Sequence, residues 1–175
     1  GYEYIGIDHF AKPTDDLAQA NRDKKLWRNF NGFTPGRMHY TIGLGPTSTG
    51  SLINYYTQSL DSLAEYYKCI DNQAFPIGRG YKLSKDDLIR RDIINEILCY
   101  QSLDFLGIER KYSIDFSKYF RQEIESLKIL IEDGMLDFSR DMITVTPLGR
   151  IFIRHICKVF DLYLQEGKVY KITGP

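Results

Sequence analysis

Gly134-Met135-Leu136-Asp137-Phe138-Ser139-Arg140-Asp141-Met142-Ile143-Thr144-Val145-Thr146-Pro147 decides the architecture of the second half of this chain. Leu136-Asp137-Phe138 and Met142-Ile143-Thr144-Val145 read as short strands about the turn Ser139-Arg140-Asp141, because apolar and β-branched residues flank a polar break. Upstream, Phe116, Phe120, Ile124, Leu127 and Ile131 recur at helical spacing, and Gly134 can end that helix in the left-handed conformation. Downstream, Thr146 is a cap residue and Pro147 the first residue of a last helix. Helix, hairpin and helix together predict a winged-helix-like module.

Working outward toward the N-terminus, Ser84-Lys85-Asp86-Asp87 opens a helix with a variant of the capping box, and Ile89, Ile93, Ile97 and Tyr100 form its core-facing stripe. Ala74-Phe75-Pro76-Ile77-Gly78-Arg79-Gly80 is a loop or bent strand and the expected domain boundary. Before it, Leu52 to Tyr56 and Ser59 to Cys69 read as helical, with Leu60, Leu63, Ala64 and Tyr67 on one side. The first fifty residues punctuate as α/β structure. Tyr4-Ile5-Gly6-Ile7 is a strand, Pro13-Thr14-Asp15-Asp16 caps a helix from about Asp15 to Lys25, and Tyr40-Thr41-Ile42-Gly43-Leu44-Gly45 is a second strand. Strand, helix and strand predict one parallel βαβ unit, with its functional loops at the carboxyl ends of the strands. The fold class is therefore α/β over residues 1–78, then mainly α with a winged-helix-like hairpin over 79–175.

Composition narrows the function. Of 175 residues 43% are hydrophobic, enough for a buried core, and Lys plus Arg equals Asp plus Glu at 23 each. The chain has no global field to gather nucleic acid or an anionic membrane, and no apolar run reaches the length of a membrane span. Cys69, Cys99 and Cys157 lie on three separate helical stretches with no C-x-x-C spacing, so they read as buried thiols in a reducing cytoplasm. The chain opens inside a strand at Gly1-Tyr2-Glu3-Tyr4-Ile5, and the N-terminus is expected to be a cut or cleavage point.

Four stretches could carry chemistry. Gly43-Leu44-Gly45-Pro46-Thr47-Ser48-Thr49-Gly50-Ser51 fits a tight strand-to-helix turn as well as a ligand loop, and it lacks both the phosphate-loop Lys and the third Gly of G-x-G-x-x-G. Asp8-His9-Phe10 ends the first strand, where an α/β enzyme points polar groups at substrate, although a structural histidine is the commoner case. Trp27-Arg28-Asn29-Phe30-Asn31-Gly32-Phe33 is either an aromatic cap over the core or a surface on which a flat ligand stacks. Arg90-Arg91-Asp92 could bind an acidic group, but pairing with Asp86, Asp87 or Asp92 on a solvated face is favoured. His39 and His155 read as structural.

In order along the chain, Tyr2-Glu3-Tyr4-Ile5-Gly6-Ile7-Asp8-His9-Phe10-Ala11, Arg28-Asn29-Phe30-Asn31-Gly32-Phe33-Thr34, Gly43-Leu44-Gly45, Asp87-Leu88-Ile89-Arg90-Arg91-Asp92, Thr146-Pro147-Leu148-Gly149-Arg150, Arg154-His155-Ile156-Cys157 and Phe160-Asp161 resemble the C-terminal part of the oxygen-independent coproporphyrinogen III oxidases. The resemblance implies that residues 1–78 are the last strands and helices of a radical S-adenosylmethionine partial TIM-type barrel, and 79–175 the C-terminal domain. It implies an oxidoreductase of haem and porphyrin biosynthesis that oxidatively decarboxylates two propionates of coproporphyrinogen III to vinyls, giving protoporphyrinogen IX. The family's cofactors are S-adenosyl-L-methionine and a [4Fe–4S] cluster, whose C-x-x-x-C-x-x-C loop this chain lacks. The chain alone is therefore expected to be inactive.

By the same resemblance the S-adenosylmethionine contacts fall on Phe30, Asn31 and Thr49, with Asn31 in place of a Gln and Thr49 where an Ile can occur. No catalytic residue and no metal ligand is assigned. The implied partners are coproporphyrinogen III, S-adenosylmethionine and an electron donor, with no nucleic acid and no membrane, in a monomeric cytoplasmic protein. Two alternatives come from other classes: a related radical enzyme-like protein that binds or inserts haem, and a DNA-binding winged-helix protein. Glu123, Glu125, Glu132 and Asp133 before the hairpin oppose the second by repelling phosphates.

Overall fold

The computed structural model describes residues 1–165. Among the described residues two compact units are present: one holds Gly1–Arg37 and residues 89–165, the other holds Met38–Leu88.

The first unit opens with β1 (Glu3–Gly6) and β2 (His9–Ala11), an antiparallel hairpin closed by Ile7 and Asp8. Helix α1 (Asp16–Arg22) starts as expected, with Asp15 capping the Leu17 N–H at 2.9 Å, and buries Ala18 and Ala20. A second hairpin follows, β3 (Trp27–Asn29) and β4 (Gly32–Thr34). Ile5, Ala11, Ala18, Ala20, Leu26, Phe33 and Cys99 make one buried cluster of this unit.

The second unit is a four-stranded antiparallel sheet in the order β5 (Tyr40–Thr41), β6 (Thr49–Leu52), β7 (Tyr55–Ser59), β8 (Ile77–Lys82), with α2 (Leu63–Asp71) inserted before β8. Two expectations are corrected here. Leu52 to Tyr56 is not helical: Asn54 and its neighbours turn β6 into β7, since Tyr55-Tyr56-Thr57 are aromatic and β-branched and pair across the sheet. The parallel βαβ unit is absent as well. β1 pairs with β2 and β5 with β6, and among the described residues every strand pair is antiparallel. Most of these strands, two to six residues long, pair with a sequence neighbour instead of waiting for a parallel crossover partner.

Helix α3 (Lys85–Tyr100) begins with the expected cap in reciprocal form: the Asp87 N–H donates to Ser84 Oγ at 3.1 Å and the Ser84 N–H to Asp87 Oδ2 at 2.8 Å. Its Ile89, Ile93 and Ile97 then enter the larger cluster of the first unit. After it come β9 (Ser102–Asp104), α4 (Phe105–Tyr112), α5 (Phe116–Tyr119), α6 (Arg121–Glu132), β10 (Leu136–Ser139), β11 (Met142–Val145), α7 (Pro147–Ile151), α8 (Ile153–Lys158) and α9 (Leu162–Gln165). The stripe expected as one helix is two, broken at Phe120, whose ring packs against Phe116 and Phe160. The hairpin forms in register Leu136 with Val145 to Ser139 with Met142, and β9 adds to its free edge in the order β10, β11, β9. Gly134 takes φ +70° at the end of α6, and Thr146 caps α7 through the Gly149 N–H at 3.0 Å. Helix, strand, two main helices and a three-stranded wing give the winged-helix order predicted from the hairpin.

Candidate functional site

The aromatic stretch near residue 30 forms the tip of the β3–β4 hairpin. Asn29 pairs with Gly32, leaving Phe30 and Asn31 as the two turn residues. Asn29 Oδ1 accepts the Asn31 N–H at 2.9 Å, and Gly32 takes φ +132°, a conformation that side chains rarely tolerate. The strand behind the turn is anchored to α3 by one amide. Asn95 Oδ1 accepts the Arg28 N–H at 3.2 Å while its Nδ2 donates to the Arg28 carbonyl at 2.7 Å, so a buried side chain completes the ladder that a third strand would have made. The Tyr100 hydroxyl, within 2.8 Å of the Lys24 and Leu26 carbonyls, fixes the chain just before it. On this mount Phe30 projects with 61% of its surface exposed.

Asp8 and His9, a separate candidate in the sequence, stand against the same hairpin. His9 Nδ1 lies 2.8 Å from Asp8 Oδ1, and its ring meets Phe33 edge-on at 5.2 Å. A Cβ at residue 32 would fall 2.7 Å from His9 Nε2, so the glycine makes room for the imidazole. The hydrogen bond to His9 holds the exposed Asp8 carboxyl below its ordinary pKa, helped by the charge of Arg154.

Thr49, the third expected contact, opens β6 in the second unit opposite Gln58, whereas Phe30 and Asn31 belong to the first. The glycine cluster before it links two strands rather than a strand and a helix, which corrects the strand-to-helix reading. Ser48 Oγ donates to the Gly45 carbonyl at 2.7 Å, and the Gly45 N–H donates to the Tyr66 hydroxyl at 3.1 Å, so much of its polarity is spent internally. His39 lies in a loop and His155 on α8 with its ring against Phe152.

The triad Arg90-Arg91-Asp92 is largely buried rather than a solvated face, and it holds one of the expected pairings, with Arg91 Nε 3.5 Å from Asp92 Oδ1. Arg90 donates to Glu123 at 2.7 Å and lies 5.1 Å above the Phe120 ring, with both charged side chains nearly buried. Glu123, counted in the sequence among charges that repel phosphate, is thus an internal partner of a cation. Asp92 is buried and takes hydrogen bonds from Lys111 Nζ and the Tyr112 hydroxyl, with Arg37 at 3.6 Å and stacked 4.5 Å over Trp27. Burial pushes the Asp92 pKa up, but those hydrogen bonds and the charges of Lys111 and Arg37 prevail and hold it below 3.8. Asn95, Lys111 and Arg37 carried no signal in the sequence, because each acts on a partner distant along the chain.

The cysteines occupy α2, α3 and α8, and burial pushes both the Cys99 and Cys157 thiols up to about 12. Among the described residues no group of three or more His, Cys, Asp or Glu side chains could hold a metal ion. These thiols do not fit an iron–sulfur cluster.

Comparison with known proteins places this geometry. Residues 83–152 match the HemN C-terminal domain. The fold superimposes on "Coproporphyrinogen III oxidase (HemN) from Escherichia coli is a Radical SAM enzyme" with a TM-score of 0.88 and 39% identity, covering 93% of this chain and 38% of that one. The fold is therefore that of the C-terminal region of this radical SAM enzyme. Oxygen-independent coproporphyrinogen III oxidases of Synechocystis and of Escherichia coli are 45% and 39% identical over 95% of this chain, and that of Thermostichus vulcanus is 45% identical. The chain is thus similar to the C-terminal part of the oxygen-independent coproporphyrinogen III oxidases, and it spans 36% of the length of the first two relatives and 51% of the third.

Proposed function

We propose that this chain is the C-terminal part of an enzyme that converts two propionates of coproporphyrinogen III to vinyls, giving protoporphyrinogen IX, and that Phe30, Asn31 and Thr49 contribute to its S-adenosylmethionine site. The observation that carries the reading is the β3–β4 turn. Its backbone is pinned by Asn29, Asn95 and Gly32, yet it presents an aromatic ring, 61% exposed, to the outside. Pinning a turn that displays an apolar ring is of little use to folding and suits a ring that covers a ligand. Phe30 supplies a flat wall for the adenosyl group and the Asn31 amide a polar edge, while the part of Thr49, on β6, rests on the family resemblance. When bound, S-adenosylmethionine supplies the hydrogen-abstracting radical of this enzyme class.

An iron–sulfur cluster and an electron donor belong to the same proposal for the longer enzyme, and no step is routed through this chain's cysteines. The division of the chain near residue 78 is supported by the start of the matched domain at 83. A monomeric cytoplasmic enzyme is inferred with it; no helix among the described residues is long and apolar enough to cross a membrane.

The test is Phe30→Ala in the full-length enzyme. Burial of the ring against the cofactor is worth about 1–3 kcal/mol, so affinity for S-adenosylmethionine should fall by one to two orders of magnitude, with the melting temperature and the iron content kept. Wild-type turnover at limiting S-adenosylmethionine would return Phe30 to the role of an aromatic cap.

A further inference from the structure

The Asp8–His9 pair touches the turn on which the proposed function rests, and that function leaves it unused. The turn that presents it is strained: Ile7, a β-branched residue, sits at φ +52°, with its side chain packed against both apolar clusters of the first unit. This backbone closes β1 onto β2 with only Ile7 and Asp8 between the paired Gly6 and His9. The imidazole is delivered onto the neighbouring hairpin in one orientation, with Asp8 at Nδ1, the Phe33 ring edge-on and Gly32 beneath Nε2.

The carboxylate of Asp8 accepts, so Nδ1 carries the proton and Nε2 of the neutral ring is left as an acceptor. About one third of the His9 side chain remains exposed, and its Nε2 lies beside Gly32, the residue after Asn31, which contributes no side chain to cover it. S-adenosylmethionine carries hydrogen-bond donors, an ammonium and two ribose hydroxyls, beside an apolar adenine face. Phe30 suits the face. An oriented acceptor is what the donors require.

We propose that His9 is a further cofactor-binding residue of the Phe30–Asn31 turn, its Nε2 accepting a hydrogen bond from the ammonium or a ribose hydroxyl of S-adenosylmethionine. This rests on the reading that the turn holds the cofactor. Asp8 is then a positioning residue that fixes the tautomer, and Gly32 is required because any side chain would displace the ring. The competing role is a staple between two hairpins, for which ring packing suffices and Nε2 is idle.

S-adenosylmethionine titrated into the protein with ¹⁵N-labelled histidine separates the two. The expected result is that the His9 Nε2 resonance and the Phe30 and Asn31 amides shift together and saturate at one affinity. His9→Phe, which keeps a ring against Phe33, should bind about tenfold more weakly, the equivalent of one hydrogen bond. His9→Gln, whose amide oxygen reaches the place of Nε2, should restore most of that loss. If Nε2 stays unmoved and His9→Phe binds like wild type while Phe30→Ala binds weakly, His9 is a staple and the reading of the turn stands. If the Phe30 and Asn31 amides do not move, or Phe30→Ala binds like wild type, the reading falls and this proposal with it. The wild-type resonance decides the matter even where a variant folds poorly.

Discussion

Removing Arg90 tests the central claim about the α3–α6 packing, that a buried cation exists to neutralise Glu123. The guanidinium lies 2.7 Å from the carboxylate, with 12% and 8% of the two side chains exposed, and it also reaches the Phe160 carbonyl at 3.3 Å. Arg90→Met keeps an unbranched apolar stem over Phe120 and strands Glu123. Leaving one member of a buried pair uncompensated costs about 3–5 kcal/mol. The expected loss is about 4 kcal/mol. For a chain of this size that is a fall of roughly 8–16 °C in melting temperature. Arg90→Met with Glu123→Leu should recover most of the stability, since an apolar pair of similar volume replaces the ions. Urea denaturation of the two single variants and the double variant at pH 7 gives these values. A single-variant loss under 1 kcal/mol, or a double variant no more stable than Arg90→Met, would refute the assignment of an essential internal ion pair.

The remaining expectations concern other parts of the first unit and the cysteines. Gly149→Ala adds a Cβ 2.0 Å from the Met135 carbonyl oxygen and 2.9 Å from Val145 Cγ1. Overpacking costs of about 1–3 kcal/mol should outweigh a helix-propensity gain of at most about 1 kcal/mol, and an unchanged or higher melting temperature would contradict the close approach of α7 to the β10–β11 wing. Asp92 has a folded pKa below its ordinary 3.8, so its contribution to stability is full above that value and is lost as pH falls through the lower folded one. Asp92→Asn should therefore cost about 1–3 kcal/mol at pH 7 and flatten the acid limb of the stability curve below pH 4; an acid limb parallel to wild type would count against it. With thiols pushed up to about 12 and buried, Cys99 and Cys157 should resist iodoacetamide at pH 8 while half-buried Cys69 reacts. Mass spectrometry of the folded protein should find one adduct, three after unfolding, and two or more in the native state would show that α3 or α8 opens.

The features legible along the chain follow from short-range physics. The caps at Asp15, Ser84 and Thr146, the left-handed Gly134, the hairpin from Leu136 to Val145 and the isoleucine stripe of α3 all depend on residues within a few positions of one another, and each stands where expected. Family order of the motifs added the class. Strand pairing was not legible in the same way, because Tyr4 to Ile7 and Tyr40 to Gly45 are both apolar runs and nothing in their composition tells a parallel crossover from two antiparallel hairpins. Tertiary structure also decided the partners of charge: Arg90 takes Glu123, 33 residues away, and Asp92 takes Lys111, Tyr112 and Arg37. It decided that Asp8–His9 and the Phe30 turn, read as two separate candidates, meet across Gly32. Such meetings are set by the packing of two hairpins onto one core, and a contact between residues distant along the chain leaves no periodicity for a single sequence to display.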